Sequence, residues 1–597
     1  MSDAPQLSCQ AITKFHSREL FSDLSFGISE GEKLGLIGPN GSGKSTLLRL
    51  LAGIDQPDSG DIVVRKGLQR SYLSQVNSFS SEISVYNLLN HSIPEYIEDH
   101  ERQEIINQHL ADLNLSPNHL FGQLSGGQQK RLSILAAILP KPDLLLADEP
   151  TNHLDLQGIL WLEELLNQAD FSFVVISHDR SFLENVTNRI IEINRIFPNR
   201  FFSTSGNYST FLERKQQFLL GQKEQQATLA NRLRKETEWL RRMPKARTTK
   251  AQYRIDAAEK LKQDFSSVKE RNQSNRKLDI EFEATGRQTK RLIEGSQLTK
   301  RIGQKLLFEN LDLLLSPGSC LGLLGPNGAG KSSLLQMIMG KIEPDSGYLK
   351  RADNLKIVYF DQKRESLNQN DSLRRALSPA GDTVVFQGKS YHVASIAKRF
   401  LFDVATLEMP VHSLSGGEQA RILIARLLSK PADILLLDEP TNDLDIESLE
   451  VLEEAIEEFQ GAVILISHDR FFVNRLSNRI LYLDGKGNSN YYSDLEQWLA
   501  HQSSEVAINI EKSNLNHETK SPQLAKLSRA DRKELSQLSS KIEKEENRLA
   551  LLQSQINDTA TATNPEKLAA TLKQLNEQQE RVDDLYERWA ELEAMNH

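Results

Sequence analysis

Around Lys44 the chain reads GLIGPNGSGKSTLLRLLAG, and around Lys331 it reads GLLGPNGAGKSSLLQMIMG. LSGGQQKRLSILAA, starting at Leu124, returns as LSGGEQARILIARL at Leu414. LLLADEPTNHLD, ending at Asp155, returns as LLLDEPTNDLD, ending at Asp445. The intervals repeat too: Lys44 to Gln75 and Lys331 to Gln362 both span 31 residues, Ser125 to Glu149 and Ser415 to Glu439 both 24, and Glu149 to His178 and Glu439 to His468 both 29. Chance does not preserve such spacing, so the chain contains a duplicated domain. At 597 residues it is also too long for one hydrophobic core.

Each copy alternates short apolar runs with amphipathic stretches, the pattern of a largely parallel sheet covered by helices, and an α/β fold is expected twice over. KLGLIG and CLGLLG read as buried strands running into glycine-rich loops. LLLAD and ILLLD read as central strands ending in Asp, and FVVIS and AVILIS as core strands delivering a histidine. Ligands of such sheets bind at the carboxyl ends of the strands.

The chemistry follows from the residue types. In the first loop Gly38, Pro39, Asn40, Gly41, Ser42 and Gly43 let backbone amides wrap phosphate oxygens, and the helix that opens at Lys44, Ser45 and Thr46 points its positive end at them. Gly325, Pro326, Asn327, Gly328, Ala329, Gly330, Lys331, Ser332 and Ser333 do the same in the second. Lys44 and Lys331 are expected to neutralise the β- and γ-phosphates of ATP, and Ser45 and Ser332 to offer hydroxyls to Mg²⁺. Asp148 and Asp438 would hold the same Mg²⁺, with Gln75 and Gln362 reaching it. Glu149 and Glu439 are placed to polarise the attacking water, with His178 and His468 touching that water and the γ-phosphate. A lone phosphate loop is a weak signal; two complete sets at equal spacing are a strong one.

The LSGGQ and LSGGE elements narrow the class, because with the motifs above they resemble ATP-binding cassettes over roughly residues 1–500. That resemblance implies head-to-tail pairing, in which Ser125, Gly126 and Gly127 complete the site of Lys331 while Ser415, Gly416 and Gly417 complete the site of Lys44. It assigns Asp155 and Asp445 to the loop coupling the two sites. It also sets adenine against Phe15, whereas the second copy offers Arg301 and Ile302 there, implying weaker or less selective binding at that site.

No run approaches eighteen consecutive apolar residues, and MSDAPQLSCQ lacks the features of a secretion signal. Two cysteines make no disulfide framework. A cytoplasmic protein is expected, and membrane transport is disfavoured. Between the copies, from about Tyr208 to Phe265, the sequence reads as long amphipathic helix punctuated by Pro244. Asn231 to Lys262 carries eleven Lys/Arg against four Asp/Glu, in a chain of net charge −9. Trp239, Arg241, Arg242, Lys245, Arg247 and Lys250 form a basic patch with an aromatic beside it, suited to phosphate backbone and base stacking. Alone, such a patch reads better as a solvated helix face. The EWLRRMPKARTTK stretch, however, resembles the interdomain arm of the ABC-F family, which reaches the tRNA exit and peptidyl-transferase region of the ribosome. The resemblance implies a ribosomal RNA or tRNA partner.

Beyond a polar tether, Leu535, Leu538, Ile542, Leu549, Leu552 and Ile556 form one heptad stripe, and Leu568, Leu575, Val582, Leu585, Trp589 and Leu592 a second. An antiparallel coiled-coil hairpin is expected. This tail, and the DTVVFQGKSYHVASIAKRFLF segment starting at Asp382, resemble the Uup-type branch of the ABC-F family, whose tail binds DNA and which is linked to branched DNA as well as the ribosome. Lys520 to Arg548 has eight basic and five acidic side chains, whereas Pro565 to His597 has four and eight, so DNA contact would fall to Lys526, Arg529, Arg532 and Lys533. The expected layout is an ATPase domain at 1–207, a helical arm at 208–276, a second ATPase domain at 277–500, a tether at 501–525 and a coiled coil at 526–597. Pairing within one chain makes a monomer sufficient. The rival readings are an ATP-gated DNA-binding protein, a scaffold that binds ATP without hydrolysing it, and a transporter ATPase.

Overall fold

The computed structural model describes residues 5–16, 19–75, 79–94, 96–113, 115–242, 258–272 except 264, 267 and 270, 291–360, 367–379, 381–386, 389–400, 402–414, 416–441 and 444–502, together with Lys541 and Gln578. The expected coiled coil, Gln362, Ser415, Lys245, Arg247, Lys250, Lys526, Arg529, Arg532 and Lys533 lie outside the described residues. Trp239, Arg241 and Arg242 fall inside a described helix, and their side chains lie outside the description. The chain divides into two units, Met1–His501 and Gln502–His597, and both repeats belong to the first.

Each repeat builds a six-stranded sheet in the same order. In the first, the strands run Arg70–Leu73, Leu144–Asp148, Ser172–Ile176, Lys33–Ile37, Arg189–Ile193 and Phe201–Ser205, all parallel except the last pair. In the second they run Ile357–Phe360, Ile434–Asp438, Ala462–Ile466, Cys320–Leu324, Arg479–Leu483 and Ser489–Tyr492. Every residue of Leu144–Asp148 and Ile434–Asp438 is buried, as strands covered on both faces must be. A buried leucine contributes about 1.5–3 kcal/mol relative to an exposed one, so these apolar runs are the anchor of each repeat. Register carries the chemistry: Asp148 pairs with Ile176 and Asp438 with Ile466, setting each strand-ending Asp beside the strand that delivers the histidine.

A three-stranded antiparallel sheet packs on each larger one, Glu19–Ile28, Leu7–Phe15 and Ser59–Val64 in the first repeat and Lys305–Leu315, Ile293–Ile302 and Ser346–Arg351 in the second. Cys9 and Cys320 are buried in strands of these sheets and of the large sheet respectively. A helical lobe carries the signature helices Gly126–Ile138 and Gly416–Leu428. In the second repeat that lobe contains a two-stranded hairpin, Thr383–Phe386 with Lys389–His392, set between the helices Leu373–Leu377 and Val393–Arg399, where the first repeat passes from the helix Val85–Ser92 to Asp99–Asp112 without strands among the described residues.

The repeats meet through reciprocal buried ion pairs. Arg180 of the first binds Glu453 of the second, and Arg470 of the second binds Glu163 of the first. Arg475 adds a 2.6 Å bond to Glu453, and the Arg180 guanidinium lies 4.0 Å from the Phe471 ring centre. The arm begins as one helix, Tyr208–Arg242, 35 residues long. At 1.5 Å per residue it reaches about 50 Å. Tyr208 and Phe211 sink its root into the first repeat, and Val268 on the returning segment is buried as well.

Candidate active site

Glycines shape both phosphate loops because other residues do not fit. A Cβ on Gly38 would lie 2.3 Å from the Ile193 carbonyl oxygen, and one on Gly325 the same distance from that of Leu483. Lys44 Nζ donates to the carbonyls of Gly38 (2.7 Å) and Pro39 (3.2 Å), and Lys331 Nζ to those of Gly325 (2.6 Å) and Pro326 (3.3 Å). Burial holds both ammonium groups below their ordinary pKa, so both are poised to gain from an anion.

Facing each lysine is an acidic pair. Ser332 Oγ donates to Asp438 Oδ2 at 3.2 Å, as does the Tyr359 hydroxyl at 3.1 Å, while Asp148 accepts from Ser45. Burial raises the pKa of Asp148 and Asp438. Glu149 and Glu439 sit at φ 46° and 50°, in the left-handed region that glutamate avoids, and each donates its amide to the neighbouring strand, Ile176 or Ile466. Backbone strain of this kind is held in place by its surroundings and gathers at functional sites. His178 Nε2 stands 3.1 Å from Glu149 Oε1, and His468 Nε2 stands 3.1 Å from Glu439 Oε1. Burial, and then the charge of Lys44, drives the His178 pKa down to about 3; burial lowers that of His468 as well. Both imidazoles are therefore neutral and stand beside their carboxylates.

The second site is a cavity of about 600 Å³ that both repeats line: Ser125, Gly126 and Gly127 on one wall, and Lys331, Ser332 and Glu439 on the other. Ser125 caps its helix through the Gln128 amide, with the Gln128 side chain returning to the Ser125 amide at 3.1 Å. A Cβ on Gly127 would lie 3.5 Å from Asn327 Nδ2, so this glycine marks a close approach of the two halves. At the first site the reciprocal contact is direct, since the Asn40 amide donates to Asp445 Oδ2 at 2.9 Å. Ile446 packs on the core of the first repeat, and Leu156 in the core of the second. Asp155 instead accepts from Arg131 at 2.8 Å and from the Gly158 amide.

The base-binding edges differ. The amides of Phe15 and Arg301 each donate to an aspartate, Asp58 and Asp345, at 2.7 Å, which makes Arg301 the structural counterpart of Phe15. The Phe15 ring is about half exposed, and Ile302 and Lys305 line the second cavity. Gln75 is exposed just beyond the strand Arg70–Leu73, and Gly416 and Gly417 open their signature helix. The sequence reading passed over Lys130, which is buried with Nζ 3.5 Å from the Ser74 carbonyl and in the field of Glu149 and Asp148. It also passed over Asn194, Lys215 and Glu447, which meet across more than two hundred residues of sequence.

A family model described as ABC transporter matches residues 21–152 and again 308–442; further ABC transporter models match 199–280 and, as the C-terminal domain, 526–594. The ATP-binding protein Uup of Escherichia coli K12 is 32% identical over 627 residues, covering 98% of both chains. This chain belongs to the Uup branch of the ABC-F family. It binds ATP and is an ATPase. The ABC-F relative named energy-dependent translational throttle protein EttA, also of Escherichia coli K12, is 33% identical over 80% of this chain and 91% of its own. Among solved structures, the archaeal ribosome recycling factor aABCE1, in complex with the stalk protein aP1, superposes with a TM-score of 0.57 at 21% identity, over 83% of this ABC-F chain and 92% of its own. The RNase-L inhibitor gives 0.56 at 22% identity, over 80% and 88%. At those identities they show the fold, a tandem cassette pair. Among the described residues no helix is long and apolar enough to cross a membrane.

Proposed function

We propose that this ABC-F ATPase closes its two shared sites on ATP, opens them after hydrolysis, and so drives a basic arm and tail against structured nucleic acid in the cytoplasm. The observation that carries the reading is the cavity built jointly by Ser125–Gly127 and Lys331, since a nucleotide there bonds one half to the other. In each site Lys44 or Lys331 binds the β- and γ-phosphates. Glu149 or Glu439 accepts a proton from water as its oxygen bonds to the γ-phosphorus and the bond to the bridging oxygen breaks, leaving ADP and phosphate. The neutral His178 or His468 holds that glutamate and orients the water. Ser45 and Asp148 in the first site, and Ser332 and Asp438 in the second, are hard oxygen donors that would hold Mg²⁺, with Gln75 and Gln362 proposed to complete the two sets. The 3.2 Å Ser332–Asp438 contact fits this role. When bound, Mg²⁺ supplies neutralisation of phosphate charge.

The ribosome, through rRNA or tRNA, is the first partner proposed for the arm residues Trp239, Arg241, Arg242, Lys245, Arg247 and Lys250. Relatives named for translational throttling support this reading. A second proposed partner is branched DNA, held within the segment matched as a C-terminal domain at 526–594 by Lys526, Arg529, Arg532 and Lys533, whose positive charge suits phosphate. The deciding experiment traps the closed form in cells with Glu149→Gln and Glu439→Gln, crosslinks, and identifies the bound material. Ribosomal RNA upholds the first reading; DNA alone replaces it with the second; neither overturns both.

A further inference from the structure

At the root of the arm four side chains from three parts of the chain interlock. Lys215, two turns into the arm helix, donates to Glu192 Oε1 at 2.9 Å. Asn194 Nδ2 donates at 2.8 Å to Glu192 and, also at 2.8 Å, to Glu447 of the second repeat. Glu447 stands in the first turn of the helix Ile446–Glu457, whose N-cap is Asp445. Asp445 is the residue that accepts from the Asn40 amide of the first phosphate loop. A series of polar contacts therefore runs from the arm through Lys215, Glu192 and Asn194 to Glu447, which lies two residues along the chain from Asp445 at the first ATP site.

Among the described residues the other half shows no such path. Gln157 occupies the place of Glu447 and is exposed, while Asp155 and Asp445 are alike in facing an arginine of their own repeat, Arg131 and Arg421. Gly38 abuts the Ile193 carbonyl as Gly325 abuts that of Leu483, which makes Asp484 the counterpart of Asn194. Asp484 accepts from Asn488 and Lys486 within its own turn. The symmetry of the duplication is broken at the point where the arm attaches.

We propose that Lys215 is a positioning residue for hydrolysis at the first site alone: with Glu192 and Asn194 it fixes Glu447, and thereby sets Asp445 on the Lys44 phosphate loop. The arm and the first site then form one lever, and displacement of the arm retards turnover there while sparing the second site. Loss of the lysine leaves Glu192 buried without its ammonium partner, and the contacts beyond it loosen. This rests on the proposed movement of the arm with closure, and supplies its route.

The test uses the full chain without nucleic acid, photoreactive ATP, and vanadate to trap the product, with the label mapped to the Lys44 or the Lys331 peptide. Lys215→Met should cut trapped label at Lys44 by about tenfold, a lost charge-assisted hydrogen bond, and leave Lys331 within about twofold. Label taken up without vanadate, which reports binding, should hold at both, and Lys215→Arg should restore trapping. Equal loss at both sites, loss at neither, or no rescue by arginine overturns the proposal. Cosedimentation of the same variants with ribosomes reads the other hypothesis separately. Site-selective loss with ribosome binding absent in every variant upholds the joint and removes the ribosomal reading, and the converse removes the joint.

Discussion

Two glutamates in a backbone conformation that glutamate avoids, each bound to a neutral histidine, are where the chemistry concentrates. His178→Ala should lower vanadate-trapped product at Lys44 by about a hundredfold or more while ATP binding there persists, because the imidazole orients and does not carry charge. Trapping at Lys44 within twofold of wild type would remove that role. Its pKa, lowered from 6.5 to about 3, has a stability consequence. The unfolded chain binds more protons than the folded one between those values, so stability is full above pH 6.5 and falls as pH drops toward 3. A urea titration across that range checks the sign, and His178→Gln should flatten the slope. These residues were legible in the sequence because motif and spacing carry them. Lys130 was not, since its importance comes from being buried beneath Glu149, and nothing in the string LSGGQQKR reports burial.

At the scale of elements, the helix starting at Ser125 belongs to one repeat and serves the other. Ser125→Arg should therefore abolish labelling at Lys331 and spare Lys44; loss confined to Lys44 would reverse the pairing. The strand Ser172–Ile176 leads past His178 to Asp179 and Arg180, and these meet their counterparts Asp469 and Arg470 among Glu163 and Glu453. Burial, and then Asp179, push Asp469 from 3.8 up to about 7. Opening that exposed Asp469 to water would return its pKa toward 3.8 and release the proton, so closure should strengthen as pH falls through 7 and weaken as it rises. Lifetimes of the ATP-trapped form between pH 6 and 8 should show this trend, and Asp469→Asn should reduce it. Sheets, phosphate loops and signature helices could be read from apolar runs and glycine spacing. The ion pairs could not, because Arg180 and Glu453 are 273 residues apart and each looks alone like a solvated charge. The basic arm was legible as a helix. Its root was not, because Lys215 sits among charges of no unusual pattern.

Over the whole molecule, the first unit ends where Leu495 and Trp498 are buried against the second repeat. Truncation after His501 should leave ATPase activity intact, and a fall of more than about tenfold would make the tail part of the ATPase. Replacing Arg241, Arg242, Lys245 and Arg247 with Gln should weaken ribosome cosedimentation and lower its log–log salt slope by roughly 0.7–0.9 per lost phosphate contact. An unchanged slope would leave the arm a solvated face. The continuous helix Tyr208–Arg242 also sets how the reaction scales. Because it ties one repeat to the other, each half meets its partner at an effective concentration fixed by the tether and independent of how much protein is present. Turnover per molecule is then the same in a dilute cell extract as in a concentrated one. Cleaving the arm would turn a first-order event into a second-order encounter, and the enzyme's rate would become a measure of its own abundance.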